Sequence, residues 1–475
     1  MRKWYNWLCP GINLKRWLFL FVLGVILVAF GLAFVFNFQF MGLMEEYIFY
    51  VVYKVTGSYS NFFTYFIGGI FLFFGGWAMF RAMRKIIASV VSAVLPDKSR
   101  SLMETLFVQH KLTHGPLITV IGGGTGLSTL LRGMKNITNN CTAVVATGDN
   151  GGSSGRLRRE MGIIPPGDLR NCLTALADSE PMMERLMQYR FEKDSTLAGH
   201  CFGNLLIAAL AEAEGGMEEG LAVASQILKV RGRVVPSTLD NIELVAEMSD
   251  GSYVYGEAQI PIMHKHIVKM HTRPNNPKAA KDALEAIEKA DVLVFGPGSL
   301  YTSIIPNLLV EEIRDAVIKS NAAKVYICNV LTEPGETDGY GAYDHVKALI
   351  DHVGMQFLDF VIVNSDKITD EQLKAYNNNV SQPVAQDFAK LRKLGVRVIP
   401  ASLSSKEDFA RHDPEKLANV LIQLIYRMRI FGKGMQFFDY YFLQEYLKTH
   451  LQHREEDLRR TFGRSKQQDN KEENE

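Results

Sequence analysis

No Cys-x-x-Cys pair occurs in this chain, and its five cysteines (Cys9, Cys141, Cys172, Cys201 and Cys328) are widely spaced. That excludes a zinc ribbon and a disulfide framework, and leaves ordinary core thiols in a reducing compartment. Neither sign of charge is in excess: 52 Lys plus Arg stand against 51 Asp plus Glu. A nucleic-acid partner therefore has no electrostatic footprint here. There is no H-E-x-x-H metal spacing and no G-x-S-x-G nucleophile turn. No Ser-His-Asp set stands out, no catalytic residue is assigned, and no fixed-period repeat is visible.

Charge is also missing locally. Trp17 to Phe40 is a stretch of 24 uncharged residues, and Ser58 to Phe80 another of 23. A 24-residue helix would rise about 36 Å, more than the roughly 30 Å of a bilayer's hydrocarbon. Arg2, Lys3, Lys15 and Arg16 precede the pair, and Arg81, Arg84 and Lys85 follow it. Basic residues favour the cytoplasmic side. The first apolar core is too long for a cleaved signal peptide. The expectation is a transmembrane hairpin over 1–85, with spans at about 17–40 and 58–80 and both termini cytoplasmic. A connector follows at 86–116. Beyond the domain, 433–475 reads as a helical extension and a disordered polar tail, "RSKQQDNKEENE".

Between connector and tail, 117–432 alternates short apolar runs with helical patterns. "LITVI", "TAVVAT", "DVLVFG", "KVYICNV", "DFVIVN" and "VRVIP" read as buried parallel strands. The fold class expected is α/β, a doubly wound and mostly parallel sheet. One hairpin interrupts it, turning at Asp250-Gly251.

Glycine is concentrated where the first run ends, at Gly122, Gly123, Gly124 and Gly126 around Thr125. Leu127, Leu130, Leu131 and Met134 then fall on one helical face. A strand thus passes through a side-chain-free corner into a helix whose first amides lack partners. Such a corner admits a phosphate or diphosphate, with Thr125 and Ser128 adding hydroxyls. A packing turn is the alternative. It is neither a Walker A loop nor G-x-G-x-x-G.

Open α/β sheets bind ligands at the carboxyl ends of their strands. There the chain places Gly148 to Arg158, Gly296 to Ser303, Asn329 and Asn364. Asp168 is either a helix cap or a ligand contact, and His200 and Asn204 open an apolar helix. Asn171 lies one turn into the helix that Asp168 begins. Tyr301 and Tyr376 are either core rings or stacking platforms. Arg411 is either a solvated charge or a diphosphate clamp. Asp149, Asp168 and Asp338 could hold Mg²⁺ beside phosphates.

Together "GGGTGLSTLLRGMK", "TGDNGGSSGRLRREMGIIPPGDLRNCL", "GHCFGNLLIAAL", "GPGSLYTSIIPNLL" and "NVLTEPGETDGY" resemble the YvcK-type gluconeogenesis factors. That family sits within the wider group around 2-phospho-lactate transferase (CofD). The resemblance implies a Rossmann-like domain that binds UDP-sugars such as UDP-N-acetylglucosamine or UDP-glucose. It implies a bacterial regulator of cell shape and wall synthesis during gluconeogenic growth, acting on wall or amino-sugar synthesis proteins, with no established reaction. With the hairpin, it would be a multi-pass plasma-membrane protein; a homo-oligomer is compatible with the pattern. Residues Gly122 to Gly126 and Asn150, Gly152, Ser153 and Ser154 would hold the diphosphate. Asn171, His200, Asn204, Asn329 and Thr332 would line the pocket. Tyr376 and Arg411 would meet the uridine end. The competing expectation is phospho-transfer of the deazaflavin-cofactor type. The serine-rich "GGSSGR" loop follows the gluconeogenesis-factor pattern instead.

Overall fold

In the computed structural model, the described residues are 14–35, 42, 46–47, 50–51, 53–54, 57, 61–94, 115–178, 181–192, 197–369, 373, 381–405 and 412–431. Tyr376, Arg411, most of the connector and the whole tail lie outside them. The chain divides into two compact units, 1–109 and 110–475.

In the first unit, helix α1 (Leu14–Val35) packs on helix α2 (Asn61–Val94). Their backbones approach closely at glycines. A Cβ on Gly24 would stand 2.9 Å from the Gly75 carbonyl oxygen, and one on Gly31 would stand 2.9 Å from the Leu72 nitrogen. Among the described residues, no helix is long and apolar enough to cross a membrane. The two-span hairpin and the multi-pass plasma-membrane location are therefore corrected. An uncharged run measures missing charge, not helix length. α1 is described over Leu14–Val35, and α2 continues past Phe80 through Arg81, Arg84 and Lys85, which carry charge into the helix. Arg81 lies over the Trp77 ring and Arg84 over Phe80, at 5.4 and 5.7 Å.

The second unit carries a seven-stranded sheet in the order β10-β9-β8-β7-β1-β2-β3, with every neighbouring pair parallel. Its strands are β1 (Ile118–Gly122), β2 (Cys141–Val145), β3 (Arg233–Pro236), β7 (Val292–Phe295), β8 (Ala323–Ile327), β9 (Phe360–Asn364) and β10 (Arg397–Ala401). Six of these coincide with the expected apolar runs. β3 has only "RVVP" and escaped notice. Alternate residues feed cores on opposite faces: Ile118 and Val120 enter one, Ile121 the other. Helices cover both, which is the doubly wound arrangement.

The expected hairpin is β4 (Glu243–Met248) with β5 (Tyr253–Tyr255), antiparallel around Asp250-Gly251. Gly251 has φ +79°, and the Asp250 carboxylate accepts the Ser252 N–H at 3.1 Å. A third strand, β6 (Ile267–Arg273), completes a separate small sheet.

The chain leaves β1 for β2 on one side, whereas β7 pairs on the other. That reversal of winding opens a crevice at the carboxyl ends of β1 and β7.

Candidate functional site

Both lips of the crevice are glycine turns. On the first, Gly123 is extended and caps helix α3 (Gly124–Met134). Gly124 has φ +66°, a left-handed conformation that suits glycine. A Cβ on Gly126 would stand 2.7 Å from the Pro297 carbonyl oxygen, so the lips meet through bare backbone. The second lip, Gly296 to Ser299, follows β7. The Gly298 N–H donates to Asn329 Oδ1 at 3.4 Å. Between them lies a cleft of about 200 Å³, lined by Gly124, Thr125, Gly126, Thr129, Pro297, Gly298, Ser299, Ser303, Asn329, Val330, Leu331, Glu333 and His412.

The first amide of the glycine corner already has a partner. Gly124 N–H donates to Asp168 Oδ2 at 2.7 Å. Asp168 stands in the first turn of α5 (Gly167–Leu176), and a Cβ on Gly123 would lie 2.8 Å from the same oxygen and displace that side-chain tip. Burial pushes the Asp168 carboxyl up to about 6, against the pull of the Gly124 N–H. Ser128, expected to point at a ligand, turns its hydroxyl onto the Thr125 carbonyl at 2.9 Å.

The second glycine turn, after β2, is occupied internally. Asp149 Oδ1 accepts the Gly151 N–H at 2.8 Å, and Asn150 Oδ1 accepts the Ala258 N–H at 3.0 Å. The next helix, α4 (Gly152–Met161), starts with φ +46° at Gly152. Ser153 Oγ accepts the Cys201 N–H at 3.1 Å and lies 3.3 Å from His200 Nδ1. Burial, and then Arg156, lower the His200 pKa. Asn204 Nδ2 donates to Ser154 Oγ at 3.4 Å. Behind them Arg170, only 8% exposed, donates to Asn204 at 2.9 Å and to Asn171 at 2.7 Å. Arg170 was passed over in the sequence because it reads as one more helical charge. Its burial is a tertiary fact.

Three glutamates were also passed over. Ser299 Oγ is hydrogen-bonded to Glu333 and lies 2.7 Å from Glu336 Oε2. One hydroxyl proton cannot serve two carboxylates. Burial raises both acids, Glu336 to about 8 with Glu333 adding to the shift. Glu257, on the turn after β5, hydrogen-bonds Asp149 and is pushed to about 8 by burial, then by Asp149, Asp168 and Glu336. Glu333 and Glu336 stood inside a quoted motif, so the signal was there. Asp338 instead accepts the Gly335 N–H at 2.8 Å, closing a local turn. Among the described residues, no group of three or more His, Cys, Asp or Glu is arranged to hold a metal ion.

The structure thus brings Gly124, Thr125, Gly126 and Asn329 to one cleft, while Gly122 ends β1, Gly123 caps α3 and Asp168 holds the Gly124 amide. Asn150, Gly152, Ser153, Ser154, Asn171, His200 and Asn204 form the adjoining network. Tyr301 is 2% exposed and hydrogen-bonds the Tyr340 hydroxyl at 2.8 Å. Thr332 pairs with Gln382, its Oγ1 accepting the backbone N–H at 2.9 Å.

The profile of the 2-phospho-L-lactate transferase CofD family matches residues 118–404. The gluconeogenesis factor of Bacillus subtilis is 46% identical over 311 residues, covering 65% of this chain and 98% of the relative. A relative from Nostoc is 42% identical over 430 residues, 89% of this chain and 93% of its own length. A crystal structure of a protein from Bacillus halodurans superposes with a TM-score of 0.63 at 46% identity, covering 65% of this chain and 99% of that one.

Proposed function

Because the chain belongs to the CofD family and to its gluconeogenesis factors, we propose that it binds a UDP-sugar in the β1/β7 cleft and acts as a regulator of cell shape and wall synthesis. The carrying observation is the pair of facing turns, Gly124 to Gly126 and Pro297 to Ser299, at the sheet's point of reversal. Close approach of a diphosphate needs bare backbone, and the crevice outside reversing strands is where open α/β sheets bind ligands. Ser299, Ser303 and Asn329 supply short polar groups around it. Binding partners would then read the liganded state of this face.

Isothermal titration of the full chain with UDP-N-acetylglucosamine tests the proposal. Saturable heat, lost when Gly126 is replaced by valine, supports it. A folded protein that gives no heat at millimolar ligand overturns it. The same sample, incubated with activated phospholactate, a deazaflavin and Mg²⁺, would reveal the competing phospho-transfer by product formation.

A further inference from the structure

The cleft holds a histidine that the sequence left without a role. His412 lines the cleft together with the glycine corner and is 9% exposed. One ring nitrogen bonds the Cys328 backbone carbonyl at the end of β8. The other, Nε2, has no hydrogen-bond partner. The Cys328 bond therefore runs through Nδ1–H, which fixes the tautomer and leaves Nε2 as a bare lone pair. A buried acceptor without a partner carries a desolvation cost that a ligand can relieve.

The walls differ in kind. Gly124 to Gly126 offers backbone, whereas the His412 side adds Val330 and Leu331 to an acceptor nitrogen. The esterified diphosphate of a nucleotide sugar carries no proton near neutral pH, so its oxygens only accept and cannot satisfy a lone pair. An N–H or O–H group can.

We propose that His412 is a specificity-determining residue whose Nε2 accepts a hydrogen bond from an N–H or O–H group on the non-phosphate part of the ligand. This rests on reading the cleft as a nucleotide-sugar site and fixes the ligand's direction there: phosphates at the glycine corner, donor-bearing ring or sugar toward β8. Burial supports the assignment by pushing the imidazole down to about 4, which keeps the lone pair free at neutral pH.

The test is titration of the full chain with UDP and with inorganic pyrophosphate, which shares the phosphates but lacks any carbon-borne donor. His412→Phe keeps a flat ring and deletes the acceptor. The expected result is UDP affinity lowered about tenfold with pyrophosphate unchanged, and recovery in His412→Gln, which restores an acceptor at the ε position. Repeating the titration with 3-methyl-UDP separates the donors. If the His412→Phe effect disappears, the imide N–H is the partner; if it persists, a hydroxyl is.

Equal weakening of both ligands by His412→Phe, or of neither, overturns the assignment while leaving the cleft a nucleotide site. A wild-type chain that binds neither ligand sinks the underlying reading as well. Nitrogen-15 imidazole spectra of the wild-type chain give a variant-free check. UDP should shift the neutral Nε2 resonance and pyrophosphate should not; an Nε2 signal indifferent to UDP refutes the contact.

Discussion

The turns after β1 and β2 look alike in sequence, glycine-rich with small hydroxyl residues, yet the protein uses them differently. After β2 the polar groups are consumed within the fold: Asp149 holds Gly151, Asn150 holds Ala258, Ser153 meets Cys201 and His200, and Ser154 meets Asn204. After β1 the Gly124 amide is engaged by Asp168, and the remaining corner faces a cleft. Glycine density therefore marks close approach. What approaches, protein or ligand, depends on which amides and hydroxyls the fold leaves unspent.

The strongest way to break this contrast is to add a methyl group to each turn. On Gly155 a Cβ would land on the Asn150 carbonyl, inside the β2 turn itself. Backbone cannot yield as a side-chain tip can, so overpacking outweighs the helix propensity gained. Gly155→Ala should lower unfolding free energy by about 3 kcal/mol, read from urea melts. Gly126→Ala forces a Cβ to 2.7 Å from the Pro297 carbonyl oxygen and wedges the cleft lips apart. It should cost about 2 kcal/mol and also abolish pyrophosphate binding. If both variants lost stability alike and bound pyrophosphate alike, the two turns would be equivalent and the contrast void.

The buried acids sharpen the comparison through pH. Glu257 hydrogen-bonds Asp149 of the β2 turn, Glu336 is hydrogen-bonded by Ser299 of the cleft lip, and each is pushed to about 8. Their ordinary value is near 4.3. A carboxyl raised in the folded state binds its proton more tightly there than in the unfolded chain. The stability it contributes is complete below about pH 4 and disappears as pH rises through about 8. Asp168, raised to about 6, acts in the same direction at lower pH. Thermal midpoints should therefore fall by at least about 3 °C between pH 5.5 and pH 9. Glu257→Gln and Glu336→Gln should each flatten that slope. A flat wild-type profile would mean these acids are not buried as charged-disfavoured groups.

Much of the framework was legible because burial writes itself into periodicity. Six of the seven main-sheet strands are unbroken apolar runs, and the Asp-Gly turn announced its hairpin. The carboxyl-edge rule then gathered Gly124, Thr125, Gly126 and Asn329, which line one cleft. Arg170, Glu257 and His412 were illegible for a common reason. Each is an ordinary polar residue whose role comes from desolvation by elements distant in sequence, and no local pattern encodes that. The N-terminal stretches misled in the opposite way, since absence of charge was read as a membrane span that the described helices do not provide.

Asp168 offers a smaller effect with a definite sign. Its carboxylate occupies the Gly124 amide and would face an incoming phosphate. Asp168→Asn keeps an oxygen for that amide and removes the charge. Pyrophosphate affinity at pH 7.5 should rise about tenfold. The advantage should vanish below pH 6, where the wild-type carboxyl is itself neutral. Comparing variant with wild type at each pH cancels the ligand's own titration. Weaker binding in the variant would recast Asp168 as a direct contact.

The finest test uses the two left-handed glycines that open helices, Gly124 with φ +66° and Gly152 with φ +46°. An alanine at either costs about 1 kcal/mol in backbone strain. Only the surroundings differ. A Cβ on Gly152 meets nothing within 4 Å, whereas one on Gly124 would come 3.3 Å from Ser303 Oγ and push that hydroxyl within the cleft. Gly152→Ala should therefore lose stability alone, and Gly152→Asn should regain part of it because asparagine tolerates this conformation. Gly124→Ala should lose the same stability and several-fold in pyrophosphate affinity besides. Binding loss that tracked strain rather than position, equal in both variants, would show that the β2 turn reaches the ligand after all.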